Sequence, residues 1–470
     1  MIKTEINTVS KTILADIITP VSIFLKIRDI FPNSLLLESS DYHSNENSYS
    51  FICMDPIADF EVSKDRLSVT MPGKKKEVVV LGDRSEVIPM LNEFIRSFEI
   101  VDQHRDPRRV IDGIFGYSSY DSVQYFEDIT FSSATDPDEE IPEMKYGFYR
   151  YIIAINHLKN ELQLIEHMVN GEGSNIGHIE ELIQNRNLAT YHFRPAGEEQ
   201  TNMTDEAYME IVDHGKEHCF RGDVFQIVLS RQFSQGYRGD DFNVYRALRS
   251  INPSPYLFYF DYGSFRLFGS SPETQIEVSG GKAYINPIAG TFRRTGNDDE
   301  DRELARKLAD DDKENAEHIM LVDLARNDLS RTTSKVTVEK YREIQFYSHV
   351  IHMVSKVSGV LRPDANTIAI MAESFPAGTL SGAPKYKAME LIDRYEGKRR
   401  GFYGGTIGNI RLNGDINHAI MIRSFMSKNN TLYYQAGAGV VSESKRESEL
   451  KEVGNKLAAL KSAIEMASKM

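Results

Sequence analysis

Apolar positions recur along the chain with a helical spacing in some segments and an extended spacing in others. Behind Thr204, a residue type that caps helices, helical spacing predicts a helix that ends near Gly222, with apolar positions at Tyr208, Ile211, Val212 and Cys219. Long helices are also predicted after Asp298, over residues 311–329 and from about Ser444 onward. The second half of the chain therefore alternates helices with extended runs.

Extended segments occur in both halves of the chain. The runs NSLLLESSD and YGFYRYIIAINHLKNELQLIEHM are typical of strands with turns, and later strand-like runs are interrupted at residues 261–264 and 279–282. Asn413–Gly414 is a strong short-range signal for a β-hairpin. These patterns predict largely antiparallel sheets. Because strands and helices are grouped separately, they also predict an α+β fold with the helices packed outside the sheets.

The clearest change in composition lies at FRPAGEEQTNMTDEA, residues 193–207. Polar residues, Pro and Gly separate two patterned regions there. We therefore place a domain boundary at about residue 200. This predicts two domains, over residues 1–200 and residues 201–470.

Charge and composition narrow the classes of partner. The 470 residues carry a formal net charge of −14, which disfavours nucleic acid and anionic membrane surfaces as partners. A small anionic substrate stays possible because charges farther away than about 8 Å are screened. Cys53 and Cys219 are too few for a disulfide framework, and the sequence has no signal-peptide pattern and no apolar run near the ~20 residues of a membrane span. We expect a cytoplasmic protein.

Paired carboxylates are the first candidate chemistry. Glu314 and Glu317 are spaced i,i+3 on one predicted helix, and Glu449, Glu452 and Lys456 share a face of the last helix. Two such pairs brought together suit a hard divalent cation such as Mg²⁺. The alternative for each pair alone is a solvated helix face, and spacing by itself does not decide between the two.

Other candidate motifs are ambiguous when each is taken alone. YGGTIGNI and QAGAGVVSES could expose backbone N–H groups to an anion, but neither is a complete phosphate or dinucleotide fingerprint, and glycines at turns or close contacts are the alternative. His352, in HVIHMVSKV, has an imidazole that titrates near neutral pH, whereas a lone histidine in an apolar segment is usually structural.

Taken together and in order, the motifs resemble those of the chorismate-utilising enzymes, and most closely anthranilate synthase component I. The resemblance covers nearly the whole chain, most densely from about residue 205 to 460, and rests on ten segments: GDVFQIVLSR, SSPE, PIAGTFRR, EHIMLVDLARNDL, HMVS, FPAGTLSGAPK, RGFYGG, IMIRSF, QAGAGVV and ESELKEVGNK. It implies an α/β/β/α arrangement with two packed, largely antiparallel sheets. The implied reaction is the Mg²⁺-dependent conversion of chorismate and ammonia to anthranilate and pyruvate, the first committed step of tryptophan biosynthesis.

The resemblance implies that residues 1–200 form a regulatory or structural domain and residues 201–470 the chorismate-binding catalytic domain. It also implies a role for each matching residue. The metal-site carboxylates are Glu314, Glu317, Glu449 and Glu452, with Glu317 and Glu452 as the direct ligands, and the bound Mg²⁺ holds the ring carboxylate of chorismate. Glu273 in SSPE matches the general acid that protonates the hydroxyl leaving C4 while ammonia attacks C2. A carboxyl group in that role must stay protonated, so we expect its pKa to be raised.

The remaining matches line the substrate pocket. Arg423, Tyr403 and the backbone at Gly437 and Gly439 match the positions that hold the enolpyruvyl carboxylate, for which a guanidinium is well shaped. Lys456 is implied to hold the other end of the dianion. The other implied pocket residues are the hydroxyl-bearing Thr291 and Thr379, Gly290 in the turn of residues 287–291, and His352, which matches a histidine tied to the elimination of pyruvate.

Two positions distinguish the activities of the family. Aminodeoxychorismate synthases resemble this family but usually carry a nucleophilic lysine where Ala289 lies, and isochorismate and salicylate synthases carry a lysine base at the position of Gln226. Neither residue here can act in that way, which favours direct attack of ammonia on C2. The alternatives left open are an aminodeoxychorismate or aminodeoxyisochorismate synthase and, more remotely, a nucleotide-binding regulatory module.

A partner chain and an effector are also implied. Neither cysteine has the glycine-flanked context of a glutamine amidotransferase nucleophile, so ammonia is expected from a separate amidotransferase subunit, in a heterotetramer with two copies of each chain. The segments LLLES and NPSPYLF resemble the two parts of the family's tryptophan site, used for feedback inhibition. The implied tryptophan-binding residues are Ser39, Pro253, Ser254, Tyr256 and Leu257.

Overall fold

The computed structural model of the chain describes residues 3–39, 48–101, 112–169, 171–185, 187–347 and 350–470, with the side chains of Thr291 and Lys313 outside the description. Within these ranges the chain forms 23 β-strands: β1 (Thr4–Leu14), β2 (Leu35–Glu38), β3 (Tyr49–Ser63), β4 (Arg66–Thr70), β5 (Glu77–Val80), β6 (Phe98–Val101), β7 (Gly113–Ser118), β8 (Met144–Asn156), β9 (Glu161–Val169), β10 (Phe193–Thr201), β11 (Gln226–Gly239), β12 (Tyr256–Asp261), β13 (Phe265–Ser271), β14 (Thr274–Ser279), β15 (Lys282–Ile285), β16 (Ile288–Arg293), β17 (Thr333–Phe346), β18 (Val350–Leu361), β19 (Gly382–Ala383), β20 (Thr406–Arg411), β21 (Ile416–Ile420), β22 (Ser424–Lys428) and β23 (Thr431–Val440).

The same described ranges contain ten α-helices: α1 (Pro20–Ile27), α2 (Val87–Arg96), α3 (Ile176–Gln184), α4 (Asp205–Arg221), α5 (Phe242–Ile251), α6 (Asp298–Asp310), α7 (Asp312–Thr332), α8 (Thr367–Ser374), α9 (Lys385–Glu396) and α10 (Arg446–Ala467). The predicted start of α4 is confirmed, because the Thr204 side chain accepts a hydrogen bond from the backbone N–H of Ala207. Its predicted end is confirmed by Gly222, which has the left-handed φ of 81°. The helices predicted after Asp298, over residues 311–329 and from about Ser444 are confirmed as α6, α7 and α10.

The strands form two sheets that share two long strands. One sheet runs in the order β10–β11–β23–β22–β13–β12–β2–β3. The other runs β8–β7–β20–β21–β14–β15–β18, and β18 also pairs with β16 and β17. Strands β3 and β8 pair with each other along most of their length and belong to both sheets. The C-terminal part of β8 also pairs with β9, and β9 pairs in turn with β1.

The predicted hairpins are confirmed. The interruptions at 261–264 and 279–282 lie at the β12–β13 and β14–β15 turns, and Asn413–Gly414 lies in the β20–β21 turn, where Gly414 has a φ of 90°. Among the pairings within the described residues, only β1 with β6 is parallel. The prediction of largely antiparallel sheets is therefore correct.

Three apolar clusters define four layers. One cluster packs α1, α4, α5, α9 and α10 on the outer face of the first sheet, and a second packs α2, α7 and α8 on the outer face of the other. The third cluster joins residues of β2, β12 and β13 to residues of β7, β20 and β21, so it lies between the sheets. The α/β/β/α arrangement implied by the resemblance is confirmed. None of the helices in the described ranges has the length and apolar character needed to cross a membrane.

The segment with the polar change in composition is structured. Residues 193–201, which the sequence marks as a break between patterned regions, form β10 and pair with β11, with an irregularity between Ala196 and Gln200. Most of β10 is exposed on both faces, so its polar composition reflects a solvated edge strand rather than a linker. Hydrogen bonds also cross the predicted boundary, through β2 with β12 and β7 with β20. The boundary at about residue 200 stays a prediction.

Candidate active site

Glu273 occupies the connection between β13 and β14, where the chain passes from one sheet to the other. Thr379 donates its hydroxyl proton to Glu273 Oε1 at 2.9 Å, and the backbone N–H of Ile420 donates to the Glu273 carbonyl at 3.0 Å. Burial of the carboxyl group raises the pKa of Glu273 to about 7, and the Thr379 hydrogen bond opposes that rise. A substantial fraction of Glu273 therefore carries a proton at neutral pH, as a general acid requires.

Arg423 supplies a cation on the same side of the pocket. Its backbone has the left-handed φ of 49°, and its Nη1 donates to Asn252 Oδ1 at 3.3 Å. The guanidinium interacts electrostatically with the Glu273 carboxyl group, and burial lowers the pKa of Arg423. A buried guanidinium is costly to leave without an anion, so this position favours binding of a carboxylate.

Gly437 and Gly439 lie on β23 opposite β11. The backbone of Gly437 hydrogen-bonds to the hydroxyl of Tyr403, and Lys456 Nζ donates to the Gly437 carbonyl at 2.8 Å. The amide of Gln226 lies directly against Gly439, so a side chain at position 439 would have to displace that amide. The structure thus brings these predicted pocket residues together along one strand pair.

The expected turn at residues 287–291 is wrong, because residues 288–293 form strand β16, which pairs with β18 and has an irregularity between Ala289 and Thr291. Gly290 has a φ of 68°, a conformation that favours glycine, and a Cβ there would lie 3.0 Å from Glu314 Oε2. Ala289 is buried in β16 and pairs with Met353 of β18. The backbone of Thr291 pairs with His352, whereas the side chain of Thr291 lies outside the described part of the structure.

His352 lies on β18, beside Gly290 of β16. Its Nδ1 lies 3.2 Å from the carbonyl oxygen of Gly290, and the ring packs edge-on against Tyr347 with centroids 5.5 Å apart. Burial lowers the pKa of His352, so the imidazole is neutral at pH 7. Because a carbonyl only accepts, Nδ1 carries the proton and Nε2 carries the lone pair.

The four predicted metal ligands come from two helices. Helix α7 with Glu314 and Glu317 packs on β16, and α10 with Glu449 and Glu452 packs on β23. Glu449 is only 3% exposed, whereas Glu452 is 42% exposed and pairs with Lys456 at 2.8 Å.

The donor chemistry of these carboxylates fits Mg²⁺, which prefers hard oxygen ligands. Within the described residues, however, no group of three or more His, Cys, Asp or Glu side chains is assembled as a metal site. The metal therefore stays a prediction that rests on donor type and helix placement.

A separate cavity of about 550 Å³ lies between the two sheets. Of the five predicted tryptophan-binding residues, Ser39, Tyr256 and Leu257 line it. The two segments that were expected to meet do so directly, because Leu257 of β12 pairs with Glu38 of β2. Its lining does not include Pro253 or Ser254, and Ser254 is buried elsewhere in the same segment.

Two groups near the pocket were not identified from sequence. Asn252 is the acceptor for Arg423, and the buried pair of Glu396 and Arg400 lies beside Tyr403. The i,i+4 spacing of Glu396 and Arg400 was a visible signal, but charged residues at that spacing usually lie on a solvated helix surface.

Glu273 and Arg423 are a buried acid and a buried cation that interact at the junction of two packed sheets, an arrangement that suits an enzyme acting on a small anion. The chain belongs to the chorismate binding enzyme family, whose model matches residues 34–462. Anthranilate synthase component 1 of Aquifex aeolicus is 35% identical over 474 residues, covering 97% of this chain and 94% of that protein. The protein of the same name from Geobacillus stearothermophilus is 36% identical over 494 residues, covering 98% and 94%.

Solved structures agree with the fold. The crystal structure of anthranilate synthase component I from Streptococcus pneumoniae superimposes with a TM-score of 0.74 at 29% identity, covering 95% of this chain and 99% of that one. The menaquinone-specific isochorismate synthase of Escherichia coli also gives a TM-score of 0.74, at 18% identity, covering 98% and 95%. The second likeness shows the shared fold alone.

Proposed function

We propose that this chain is the chorismate-converting component of an anthranilate synthase, a lyase that forms anthranilate and pyruvate from chorismate and ammonia. Near-full-length relatives with that name support the proposal. The observation that carries it is the carboxyl group of Glu273. Burial raises its pKa to about 7, and a hydrogen bond from Thr379 holds it in place. This is the acid that the first half-reaction needs.

In the first half-reaction Glu273 gives its proton to the hydroxyl leaving C4. Ammonia attacks C2 as the C4–O bond breaks, and the ring double bonds shift accordingly. Thr379 fixes the direction of the acid, while Arg423 stabilises the carboxylate form that remains after proton transfer. The resulting intermediate keeps the enolpyruvyl ether.

The two carboxylates of chorismate require two anion sites. Arg423, the Tyr403 hydroxyl and the backbone at Gly437 form one, suited to the enolpyruvyl carboxylate. Lys456, which donates to the Gly437 carbonyl, is assigned to the other end of the dianion by its positive charge. Glu314, Glu317, Glu449 and Glu452 would hold Mg²⁺, which when bound neutralises the ring carboxylate and fixes the ring.

The second half-reaction eliminates pyruvate and makes the ring aromatic. His352 Nε2 takes the C2 proton, the electrons form a ring double bond, and the C3–O bond breaks to release enolpyruvate, which gains a proton as pyruvate. The neutral imidazole with its proton on Nδ1 is in the correct form for this step.

The choice of nucleophile follows from two residues without an amine. Ala289 offers no covalent nucleophile, and the Gln226 amide cannot activate water as a base. Both favour ammonia over a lysine or water as the group that attacks the ring. An aminodeoxychorismate or aminodeoxyisochorismate synthase stays the alternative, and the identity of the product separates them.

The chain is proposed to work in the cytoplasm with a separate glutamine amidotransferase subunit, in a tetramer of two copies of each chain. The name "component 1" of its relatives supports a partner component. The cavity lined by Ser39, Tyr256 and Leu257 supports inhibition by tryptophan.

The direct test uses the purified full chain with chorismate, Mg²⁺ and ammonium, followed by anthranilate fluorescence. We expect ammonium-dependent anthranilate and no use of glutamine until the amidotransferase is added. A 4-amino product or a non-aromatic amino product would replace the proposal with one of the alternatives. Glutamine-dependent turnover by the single chain would show that the amidotransferase assignment is wrong.

A further inference from the structure

A fully buried ion pair lies behind the proposed substrate pocket, outside the residues assigned above. Arg400 is 2% exposed and Glu396 is 6% exposed. Arg400 Nε donates to Glu396 Oε2 at 2.9 Å, and Arg400 Nη2 donates to Glu396 Oε1 at 2.5 Å. Both side chains belong to the end of α9 and the turn that follows it, the turn that also carries Tyr403.

Arg400 also donates to two backbone carbonyls on other elements. Its Nη1 reaches the Leu380 oxygen at 2.5 Å, and its Nη2 reaches the Val228 oxygen at 2.7 Å. Leu380 directly follows Thr379, the residue whose hydroxyl contacts Glu273. Val228 pairs with Gly439 in the β11–β23 ladder. One guanidinium thus joins the segment of the acid to the strands of the anion site.

Glu396 extends the link to a third point. Its Oε1 accepts from both the backbone N–H and the hydroxyl of Ser230, each at 2.7 Å. Ser230 pairs with Gly437, whose backbone contacts Tyr403 and Lys456. The Arg400 guanidinium also lies 5.6 Å from the ring centroid of Tyr403 and 4.8 Å from that of Tyr120.

A buried ion pair is weak evidence for stability, because apolar side chains of similar size fill such space at lower desolvation cost. What apolar residues do not supply is a set of directional contacts to several strands at once. Planar guanidinium geometry supplies them here. The contacts converge on elements that carry substrate-side groups, which assigns the pair a role in placing those groups.

We propose that Arg400, locked by Glu396, is a positioning residue that fixes Thr379, and through it the Glu273 proton, relative to the carboxylate site at Tyr403 and Gly437. This inference rests on the proposed function for the identity of the reaction. The part of the inference that does not depend on the reaction is the placement of the Thr379–Glu273 contact. The charged or polar groups that act on Glu273 are Thr379, Lys456 and Arg423, so Arg400 reaches it only through the Thr379 segment.

Arg400→Lys is the principal test. The lysine keeps the charge but lacks the planar fork that reaches Glu396, Leu380 and Val228 together. We expect kcat with ammonium to fall about 10- to 100-fold, as small displacements of positioned groups do, with a smaller change in KM for chorismate. Because the Thr379 hydrogen bond lowers the pKa of Glu273, its weakening moves the alkaline limb of the pH–rate profile to higher pH.

Arg28→Lys is the matched control. Arg28 also makes a two-point pair with a carboxylate, donating to Asp240 at 3.0 and 2.6 Å, with both side chains largely buried. This variant should lower the melting temperature without moving the pH profile. The combination of Arg400→Lys with Thr379→Val should move the limb no further than Thr379→Val alone, since both act on one contact.

An infrared titration of the Glu273 carboxyl gives a readout that does not need turnover. The absorption band of Glu273 is identified by its loss in Glu273→Gln. A wild-type chain that makes no anthranilate would count against the proposed function, while a raised pKa of Glu273 in Arg400→Lys would still support the positioning role. An unchanged pKa and pH profile, with only a lower melting temperature, would overturn it.

If Arg400→Lys does not fold, Ser230→Ala is the second variant. It changes only a small side chain and removes the hydroxyl contact to Glu396. A fall in kcat with the alkaline limb moved to higher pH supports the positioning role, and a wild-type pH profile contradicts it.

Discussion

The pocket at Glu273 and the cavity at Ser39 are built in different ways. Beside Glu273, the Thr379 hydroxyl donates to its carboxyl group and the Arg423 guanidinium donates to Asn252, so both groups are fixed by a residue from another segment. The cavity is about 550 Å³ and lies between the two sheets, lined by strands of both. Preorganised dipoles suit chemistry, whereas a large cavity between two sheets suits an effector that binds one arrangement better than another. We therefore expect the first region to serve catalysis and the second to serve control.

A side-chain hydrogen bond connects the two regions. The hydroxyl of Tyr256, at the cavity, lies 2.7 Å from Thr274 Oγ1, and Thr274 follows Glu273 directly. Variants that affect one region and not the other therefore test how separate they are.

Glu273→Gln should give the largest effect. The amide keeps the shape but has no acidic proton, so we expect a loss of about 10²- to 10⁴-fold in kcat. Tryptophan binding, measured by calorimetry, should persist because the cavity is untouched. Near-normal turnover would remove Glu273 from the role of acid, and lost tryptophan binding would show that the two regions are not separable.

Glu317→Gln and Glu452→Gln should have the next largest effect on turnover. Each loses an anionic ligand, and because outer-shell partners of metals alone change affinity about 10- to 100-fold, the Mg²⁺ requirement should rise at least that much. Turnover is measured across a Mg²⁺ titration. The control is Glu465→Gln, an exposed carboxylate on the same α10 helix. Wild-type Mg²⁺ curves for both variants would contradict the metal assignment.

Tryptophan should raise the apparent KM for chorismate by about 5-fold or more, a typical coupling between two sites. Ser39→Phe should relieve this inhibition with a smaller effect on uninhibited turnover, because the ring fills the cavity. Chorismate titrations with and without tryptophan measure both. The exposed Ser85→Phe should stay sensitive. Identical wild-type curves in complex with the partner would rule the regulatory site out.

Thr379→Val should give the most specific effect, a shift of the pH profile. Glu273 is active as an acid only while protonated, so turnover falls as pH rises through its pKa of about 7. Removing a hydrogen bond that favours the ionised form raises that pKa, and the alkaline limb should move to higher pH. The profile is recorded at a fixed concentration of free ammonia. A shift to lower pH would show that the hydroxyl stabilises the protonated form instead.

Local signals were sufficient for much of the fold. The Thr204 cap, the Gly222 end and the Asn413–Gly414 turn depend on residues a few positions apart, and each lies where the sequence predicts. Strand β10 was missed because an exposed edge segment with Pro and Gly has little apolar pattern. The passage of β3 and β8 through both sheets depends on their partners, which periodicity does not encode.

The candidate site could also be predicted from the sequence only in part. Carboxylate spacing suggested a shared face for Glu314 and Glu317, but only the resemblance connected Glu273 with Thr379, which lie 106 positions apart. The buried state of Arg400 and Glu396 follows from strands that close over them, so the sequence shows the spacing and not the environment.

The strand pairs β2–β12 and β7–β20 have a consequence for how the chain can be divided. A fragment that begins at residue 201 would lack the strands that cover one edge of β12 and one edge of β20. Bare edges of this kind offer rows of unpaired N–H and C=O groups and act as templates for pairing with other chains. The first 200 residues therefore serve the rest as a shield against self-association, whatever regulatory role they also have.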